Sequence, residues 1–247
     1  MPDQTSLEGK RILVTGGTTG IGRETVRLLV AEGARVVTFG RNQEPLDEAI
    51  AHARGGSGDV TGLTADAATR DGVDAVFAAV DERLGGLDIL VACAALGADP
   101  LHEMEEDAWR YVIETNLVGY LACAQRAIKR LEAAGGGHLV FVGSISAEIK
   151  AAGESVYSAT KAGIQAFAET LRKEISADKN IKISIIQPGA TDTDMQEADS
   201  DEKRQAVADH EMLMSEEVAD AIRYVLTRSA RADVVNLRIE PRIQPTS

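Results

Sequence analysis

Apolar runs of strand length alternate along this chain with longer stretches of helical spacing, and this alternation constrains the fold more than any other feature. The strand-length runs are rich in Val, Ile and Leu and cover residues 11–15, 35–39, 60–65, 87–92, 138–142, 182–187 and 234–237. The spacing of apolar residues predicts helices over residues 20–32, 44–52, 70–84, 105–134, 154–177 and 215–227. Alternating strands and helices are typical of a parallel sheet with helices on both faces.

Right-handed crossovers between parallel strands leave few arrangements for such a chain. We therefore predict the α/β class, with a single Rossmann-like domain over residues 1–247 and a doubly wound parallel sheet of about seven strands in the order 3-2-1-4-5-6-7. A length of 247 residues suits one such domain. The longest irregular, charged stretch covers residues 189–214, and long loops of compact domains often act as lids, so we predict a substrate lid there.

The charge balance of the chain limits the classes of partner. Acidic residues outnumber basic ones by 39 to 26, which argues against nucleic acid or a membrane surface, because both require a basic patch. No run approaches the roughly 20 apolar residues of a membrane span, and the first ten residues lack an apolar signal core. Cys93 and Cys123 lie in apolar contexts, which fits a reducing compartment. We predict a cytoplasmic protein without a metal site.

A glycine-rich loop follows the first predicted strand and leads directly into the first predicted helix. Its sequence is Gly16-Gly17-Thr18-Thr19-Gly20-Ile21-Gly22. Backbone N–H groups at a helix N-terminus bind phosphate, and the missing side chains let a pyrophosphate approach the backbone. A strand before the loop and a helix after it are the context that distinguishes a nucleotide site from an ordinary tight turn. The loop therefore predicts a dinucleotide cofactor.

The end of the second predicted strand indicates which dinucleotide is bound. An acidic residue there accepts hydrogen bonds from a ribose 2′-hydroxyl, whereas an arginine binds a 2′-phosphate. This chain has Gly40-Arg41-Asn42 at that position, and Arg23 is a candidate for a second contact. We therefore predict a preference for NADP(H), with NAD(H) as the alternative.

Tyr157 and Lys161 are four residues apart in a predicted helix, so both side chains lie on one face of it. A free phenol has a pKa of about 10, and a fixed cation nearby lowers that value. A tyrosine tuned in this way can act as an acid or base at a carbonyl or hydroxyl group. Taken alone, the pair could equally be an ordinary feature of a helix surface.

Together these motifs resemble the short-chain dehydrogenase/reductase family over nearly the whole length of the chain. The residues that carry the resemblance are Thr15-Gly16-x-x-x-Gly20-Ile21-Gly22, Asn116 in Asn116-Leu117-Val118-Gly119, Ser144, Tyr157-x-x-x-Lys161, Pro188-Gly189 and Thr191. The resemblance implies an oxidoreductase that transfers a hydride between NADP(H) and a small-molecule carbonyl or alcohol substrate.

The resemblance also implies residue roles. Tyr157 would be the acid/base, and Ser144 would bond the substrate oxygen. Lys161 would lower the pKa of the tyrosine and hold the nicotinamide ribose, while Asn116 would anchor a water that links Lys161 to solvent. The implied cofactor-binding residues are Gly16, Thr18, Thr19, Gly20, Ile21, Gly22, Arg41, Asp66, Ala67, Ala94, Tyr157, Lys161, Pro188, Gly189 and Thr191. The long predicted helices 105–134 and 154–177 resemble those that pair subunits in this family, so a homotetramer is expected, or else a dimer.

One segment departs from the family pattern. Where the family often has Asn-Asn-Ala-Gly, this chain has Ala92-Cys93-Ala94-Ala95, which removes side chains that support the sheet and contact the adenine ribose. A catalytically silent nucleotide-binding protein is therefore one alternative, and an NAD-preferring alcohol dehydrogenase is another. An epimerase or dehydratase of nucleotide sugars is disfavoured by the chain length and the glycine spacing. We expect the substrate pocket to include Ser146, Ala147, Ile149, the segment after Ala94 and the lid; the substrate itself stays open.

Overall fold

Seven parallel strands form one sheet at the centre of the computed structural model, which describes residues 4–195 and 199–244. The strands are β1 Arg11–Thr15, β2 Arg35–Gly40, β3 Asp59–Thr64, β4 Ile89–Ala92, β5 Gly137–Val142, β6 Ile181–Pro188 and β7 Asn236–Ile239. Their order is β3-β2-β1-β4-β5-β6-β7, and every neighbouring pair is parallel. The predicted fold class and strand order are confirmed.

Helices cover both faces of this sheet. They are α1 Gly20–Ala31, α2 Gln43–Ala53, α3 Arg70–Leu84, α4 Glu106–Ile113, α5 Gly119–Ala133, α6 Ser146–Ile149, α7 Ser155–Lys179, α8 Ser200–Ala208 and α9 Ser215–Leu226. Side chains alternate between two cores, because successive residues of a strand point to opposite faces. In β1, Leu13 packs with α3, α5 and α7, while Ile12 and Val14 pack with α1 and α9. The inner strands are buried on both faces and are largely apolar, whereas the edge strands β3 and β7 are more exposed.

The single helix predicted over residues 105–134 is interrupted. A five-residue π-helical turn, Glu114–Val118, separates α4 from α5. Such turns occur mostly as short insertions within α-helices and frequently at functional sites. This turn contains Asn116, one of the predicted catalytic residues, which has no exposed surface.

The predicted lid, residues 189–214, is more ordered than a long loop. It contains α8, which begins with a capping box in which the Asp199 carboxylate and the Glu202 side chain bond each other's backbone N–H. Residues 196–198 of the predicted lid lie outside the described residues. Among the described residues, no helix has the length and apolar character needed to cross a membrane.

Candidate active site

A cavity of about 910 Å³ opens at the carboxyl ends of the strands, where ligands bind in doubly wound sheets. Its wall includes a residue from the end of each of the first six strands: Gly16, Arg41, Asp66, Ala94, Ser144 and Pro188. All fifteen predicted cofactor-binding residues line this one cavity. Of the predicted catalytic residues, Ser144, Tyr157 and Lys161 line it and Asn116 does not.

The glycine loop is closely packed against its surroundings. Gly16 has a φ of 66°, and a Cβ added there would lie 2.6 Å from the Cα of Ala94. A Cβ on Gly22 would lie 2.1 Å from the carbonyl oxygen of Gly16. The side chain of Thr19, at the N-cap of α1, makes no capping hydrogen bond. The first amides of α1 therefore keep N–H groups that can bind an anionic group such as a pyrophosphate.

The segment that departs from Asn-Asn-Ala-Gly is held by other residues. The hydroxyl of Thr15 accepts hydrogen bonds from the backbone N–H groups of Cys93 and Ala94, at 2.9 and 3.0 Å. The Asn116 amide accepts from the N–H of Leu96 and donates to its carbonyl oxygen, each at 2.8 Å. Thr15 and Asn116 therefore hold the backbone of this segment without the two asparagine side chains.

This geometry also changes the interpretation of Asn116. Its side chain is committed to Leu96 and lies outside the cavity wall, so it positions the loop after β4; the predicted water-anchoring role stays a prediction. Its neighbour Thr115, which the sequence did not single out, lines the cavity. The Thr115 hydroxyl is buried and has no hydrogen-bond partner among the described residues. An unpaired buried hydroxyl is costly, which makes it a candidate donor to a bound group.

Tyr157, Ser144 and Lys161 meet at the end of the cavity formed by β5 and the first turns of α7. The hydroxyl of Ser144 is close enough to the phenol of Tyr157 to lower its pKa and accepts from the N–H of Ser146 at 3.1 Å. Lys161 Nζ lies 5.5 Å from the centre of the Tyr157 ring and donates to the carbonyl oxygen of Val142 at 3.0 Å. The i, i+4 spacing thus brings both side chains to one cavity, as predicted.

Burial is the largest influence on the pKa values of Tyr157 and Lys161. It raises the pKa of Tyr157 to about 12, the hydrogen bond with Ser144 acts against the rise, and the charge of Glu154 adds to it. Burial lowers the pKa of Lys161 to about 8. Lys161 is not among the groups that shift this pKa, so its predicted lowering of the tyrosine pKa stays a prediction. At neutral pH Tyr157 is a protonated donor.

The opposite end of the cavity contains a bridge that the sequence did not reveal. Arg41 Nη1 donates to the hydroxyl of Tyr111 at 3.2 Å, and that hydroxyl donates to Asp66 Oδ2 at 2.7 Å. Tyr111 lies in α4, and no local signal links it to residues 45 and 70 positions away. Arg23, the predicted second contact, is absent from the cavity wall and lies beside Glu24, with 3.5 Å between Nε and the carboxylate.

The remainder of the cavity wall was only partly predicted. Ser146 and Ile149 line it as expected, whereas Ala147 does not. Gln244 also lines it, and its side-chain oxygen accepts from the N–H of Ala190 at 3.1 Å, so the segment after β7 covers the loop after β6. Sequence spacing does not show this contact, because it joins residues 54 positions apart.

Thiol and metal chemistry find little support among the described residues. Cys93 and Cys123 are free, and burial raises the pKa of their thiols to about 11 and about 12, so neither is a thiolate at neutral pH. In the described ranges 4–195 and 199–244, no group of three His, Cys, Asp or Glu side chains could hold a metal ion.

Comparisons with known proteins agree with this geometry. The family model described as short chain dehydrogenase matches residues 10–204. The chain is 37% identical over 191 residues to a 3-oxoacyl-(acyl-carrier-protein) reductase of Chlamydia pneumoniae, covering 77% of each protein. It is 31% identical over 238 residues to an uncharacterized oxidoreductase of Staphylococcus haemolyticus, covering 96% of this chain and 99% of that one.

Solved structures of similar fold include enzymes crystallised with a nicotinamide cofactor. A single-residue variant of actinorhodin polyketide ketoreductase with NADPH superposes with a TM-score of 0.85 at 27% identity, over 97% of this chain and 98% of that one. L-sorbose reductase from Gluconobacter frateurii, complexed with NADPH and L-sorbose, gives 0.85 at 27% identity, over 96% and 97%.

Proposed function

Because the chain belongs to the short chain dehydrogenase family of oxidoreductases, we propose that it transfers a hydride between NADP(H) and a carbonyl or alcohol substrate. The observation that carries this proposal is the convergence of Tyr157, Ser144 and Lys161 on the cavity that also contains the glycine loop. A protonated phenol and a hydroxyl at one end, and a phosphate cradle at the other, are what such a reaction requires of the protein.

The residues of the cavity can hold the cofactor, and Ser144 and Tyr157 have separate roles toward the substrate. When bound, the nicotinamide supplies or accepts the hydride. In the reducing direction, the hydroxyls of Ser144 and Tyr157 donate to the substrate oxygen as it gains alkoxide character, and fixed donors at that position lower the barrier. Tyr157 then transfers its proton to this oxygen. In the oxidising direction, the deprotonated phenol accepts the proton from the alcohol.

Lys161 stabilises the charge that Tyr157 acquires when it gives up the proton. The ammonium group is buried, fixed by the Val142 carbonyl, and 5.5 Å from the centre of the phenol ring. Charges interact more strongly where water is excluded. A lysine pKa of about 8 also leaves this group able to exchange its own proton near neutral pH, which supports the return of a proton to Tyr157.

NADP(H) is the proposed cofactor because of the residues at the end of β2. Arg41 lines the cavity there, and the segment Gly40-Arg41-Asn42 contains no carboxylate. A guanidinium presents several donors that match a phosphate. NADPH also accompanies the two solved structures named above. The glycine cradle and the unpaired Thr115 hydroxyl support a bound dinucleotide in the same cavity.

Replacement of Arg41 by Ala tests the cofactor. We expect the Kd of NADPH to rise about 10-fold or more, since charge-assisted hydrogen bonds contribute about 1.5–3 kcal/mol, while the Kd of NADH changes little. Nicotinamide fluorescence titrations with both cofactors measure the effect. Tighter binding of NADH than of NADPH by the unsubstituted protein would contradict the proposal and favour an NAD-preferring alcohol dehydrogenase.

The proposed substrate is an uncharged ketone or aldehyde, or the matching alcohol. The wall around Tyr157 and the lid includes the acidic side chains Glu154, Asp194 and Glu211, and apolar ones such as Ile149 and Met212. Apart from the buried Lys161, the described part of this wall near Tyr157 has no basic residue. Carboxylates in a partly dry cavity repel an anionic substrate.

Glu154 gives a test through pH. Its negative charge raises the pKa of Tyr157, so Glu154→Gln is expected to lower that pKa. Alcohol oxidation requires the deprotonated phenol, and kcat/KM therefore rises with pH as Tyr157 loses its proton. The rising limb should shift to lower pH in Glu154→Gln. The matched control is Glu211→Gln, since Glu211 lines the cavity but is not among the groups that shift the pKa of Tyr157. An unshifted or upward-shifted limb in Glu154→Gln would contradict the electrostatic account.

We also propose that the chain assembles with copies of itself, as a tetramer or, failing that, a dimer. Val118, the last residue of the π-helical turn, and Leu121, in the first turn of α5, are 43% and 37% exposed. Neighbouring exposed apolar side chains on one helix are typical of an association surface. The long helix α7 lies close to this region, since a Cβ added at Gly163 would lie 3.2 Å from the side chain of Leu117.

A further inference from the structure

Tyr111 joins two oppositely charged side chains at the adenosine end of the cavity. Its hydroxyl accepts from Arg41 Nη1 at 3.2 Å and donates to Asp66 Oδ2 at 2.7 Å. The Arg41 guanidinium also lies over the Tyr111 ring, 5.7 Å from its centre. Arg41 and Asp66 line the cavity, whereas Tyr111 lies behind them in the last turn of α4.

The position of this hydroxyl decides how the two charges interact. One phenol oxygen separates the guanidinium from the carboxylate, and within the described part of the chain Arg41 and Asp66 form no direct ion pair. Without the hydroxyl, opposite charges this close attract each other and move together. In a direct ion pair, the Asp66 carboxylate would accept hydrogen bonds from part of the Arg41 guanidinium. It would then compete with any phosphate that approaches from the cavity.

The second oxygen of Asp66 is fixed as well. Asp66 Oδ1 accepts from the backbone N–H of Ala68 at 2.9 Å, so both carboxylate oxygens have protein donors. Burial and the hydrogen bond to Asp66 raise the pKa of Tyr111, which keeps the phenol protonated and donating. Arg41 has five N–H donors, and its bond to Tyr111 occupies Nη1, which leaves the remainder of the exposed guanidinium for a ligand.

We propose that Tyr111 is a positioning residue that determines cofactor specificity: it holds the Arg41 guanidinium for a 2′-phosphate and prevents Asp66 from neutralising it. This inference rests on the proposed NADP(H) preference. It assigns the discrimination between NADPH and NADH to a pair, Arg41 and Tyr111, rather than to Arg41 alone. Tyr111 lies at the end of the cavity opposite the residues that transfer the proton.

Tyr111→Phe tests the inference because it keeps the ring beneath the guanidinium and removes only the hydroxyl. We expect the Kd of NADPH to rise about fivefold, as for the net loss of one ordinary intramolecular hydrogen bond that orients the guanidinium, while the Kd of NADH stays within about twofold and kcat at saturating NADPH is unchanged. The same selective loss is expected for 2′,5′-ADP relative to 5′-AMP. The matched control is Tyr224→Phe, since Tyr224 is exposed and stacks on Arg228 away from the cavity.

A double-mutant cycle distinguishes an effect of Tyr111 that acts through Arg41 from a general structural effect of Tyr111. If Tyr111 acts through Arg41, Tyr111→Phe has no further effect on the Kd of NADPH in the Arg41→Ala background. Three results would overturn the inference: equal weakening of NADPH and NADH, an undiminished effect in the Arg41→Ala background, or tighter NADPH binding, which would show that the bridge competes with the cofactor. Unchanged NADPH binding in Arg41→Ala is the distinct result that defeats the proposed preference itself.

Discussion

Tyr157→Phe is expected to lower kcat for carbonyl reduction about a thousandfold, within the range by which a positioned acid or base accelerates a reaction. The substitution removes the hydroxyl beside Ser144 that carries the proposed transferable proton at this end of the cavity. The ring remains, so the cavity keeps its shape, and the Kd of NADPH is expected to stay within about threefold of the unsubstituted value. Oxidation of NADPH followed by absorbance measures turnover, and fluorescence titration measures binding.

Tyr120→Phe is the matched control for this prediction. Tyr120 is also a buried tyrosine beside Lys161, with its ring centre 5.5 Å from Nζ, and its hydroxyl donates to the Val142 carbonyl at 3.2 Å. It does not line the cavity. We expect a loss of about 1 kcal/mol in the free energy of unfolding and turnover within severalfold of normal. Near-normal turnover in Tyr157→Phe would contradict the proposal that Tyr157 is the acid/base.

Gly22→Ala is expected to raise the Kd of NADPH about 10- to 100-fold, because overpacking of the kind it introduces costs about 1–3 kcal/mol. The added methyl group would lie 2.1 Å from the carbonyl oxygen of Gly16, so the glycine loop must move away from α1. Binding must then restore the loop geometry that holds the pyrophosphate. The Tm is expected to fall as well, because Gly22 is buried beneath the loop.

Gly97→Ala is the matched control for the glycine loop. Gly97 lines the same cavity, and among the residues that the structure describes, a Cβ there would meet only the carbonyl oxygen of Met195, at 4.0 Å. Its backbone lies outside the left-handed region. We expect NADPH binding and Tm to be nearly unchanged. Equal effects of the two substitutions would show that the loop geometry does not determine cofactor binding.

The sheet could be predicted from the sequence because its inner strands are buried on both faces. Such strands are continuous apolar runs, and the run at residues 11–15 coincides with β1. The π-helical turn Glu114–Val118 could not be predicted, because the apolar residues of the segment 105–134 have the spacing of one continuous helix. The helix α8 was missed because it is short and polar and has no buried residue, so the apolar spacing used for the other helices is absent.

Some features of the candidate site could likewise be predicted from the sequence, and others could not. The Tyr157 and Lys161 pair and the glycine loop depend on local spacing, so the sequence predicted their common cavity. The pKa of Tyr157 depends on how much protein surrounds it, and the sequence carried no measure of that burial. Tyr111 contacts Arg41 and Asp66, which follow β2 and β3, only through the tertiary fold. Contacts between residues that are far apart in the chain leave no periodic pattern in the sequence from which they could be predicted.

Transfer of deuterium from NADPH labelled at either position of nicotinamide C4 to a panel of uncharged ketones and aldehydes tests the central claim most directly. The account predicts that at least one carbonyl yields an alcohol with one deuterium on the carbinol carbon, from one of the two labelled cofactors only. It also predicts that Tyr157→Phe binds the labelled NADPH and yields almost no such alcohol. Firm NADPH binding without a deuterated alcohol from any carbonyl would contradict the claim that this cavity performs hydride transfer.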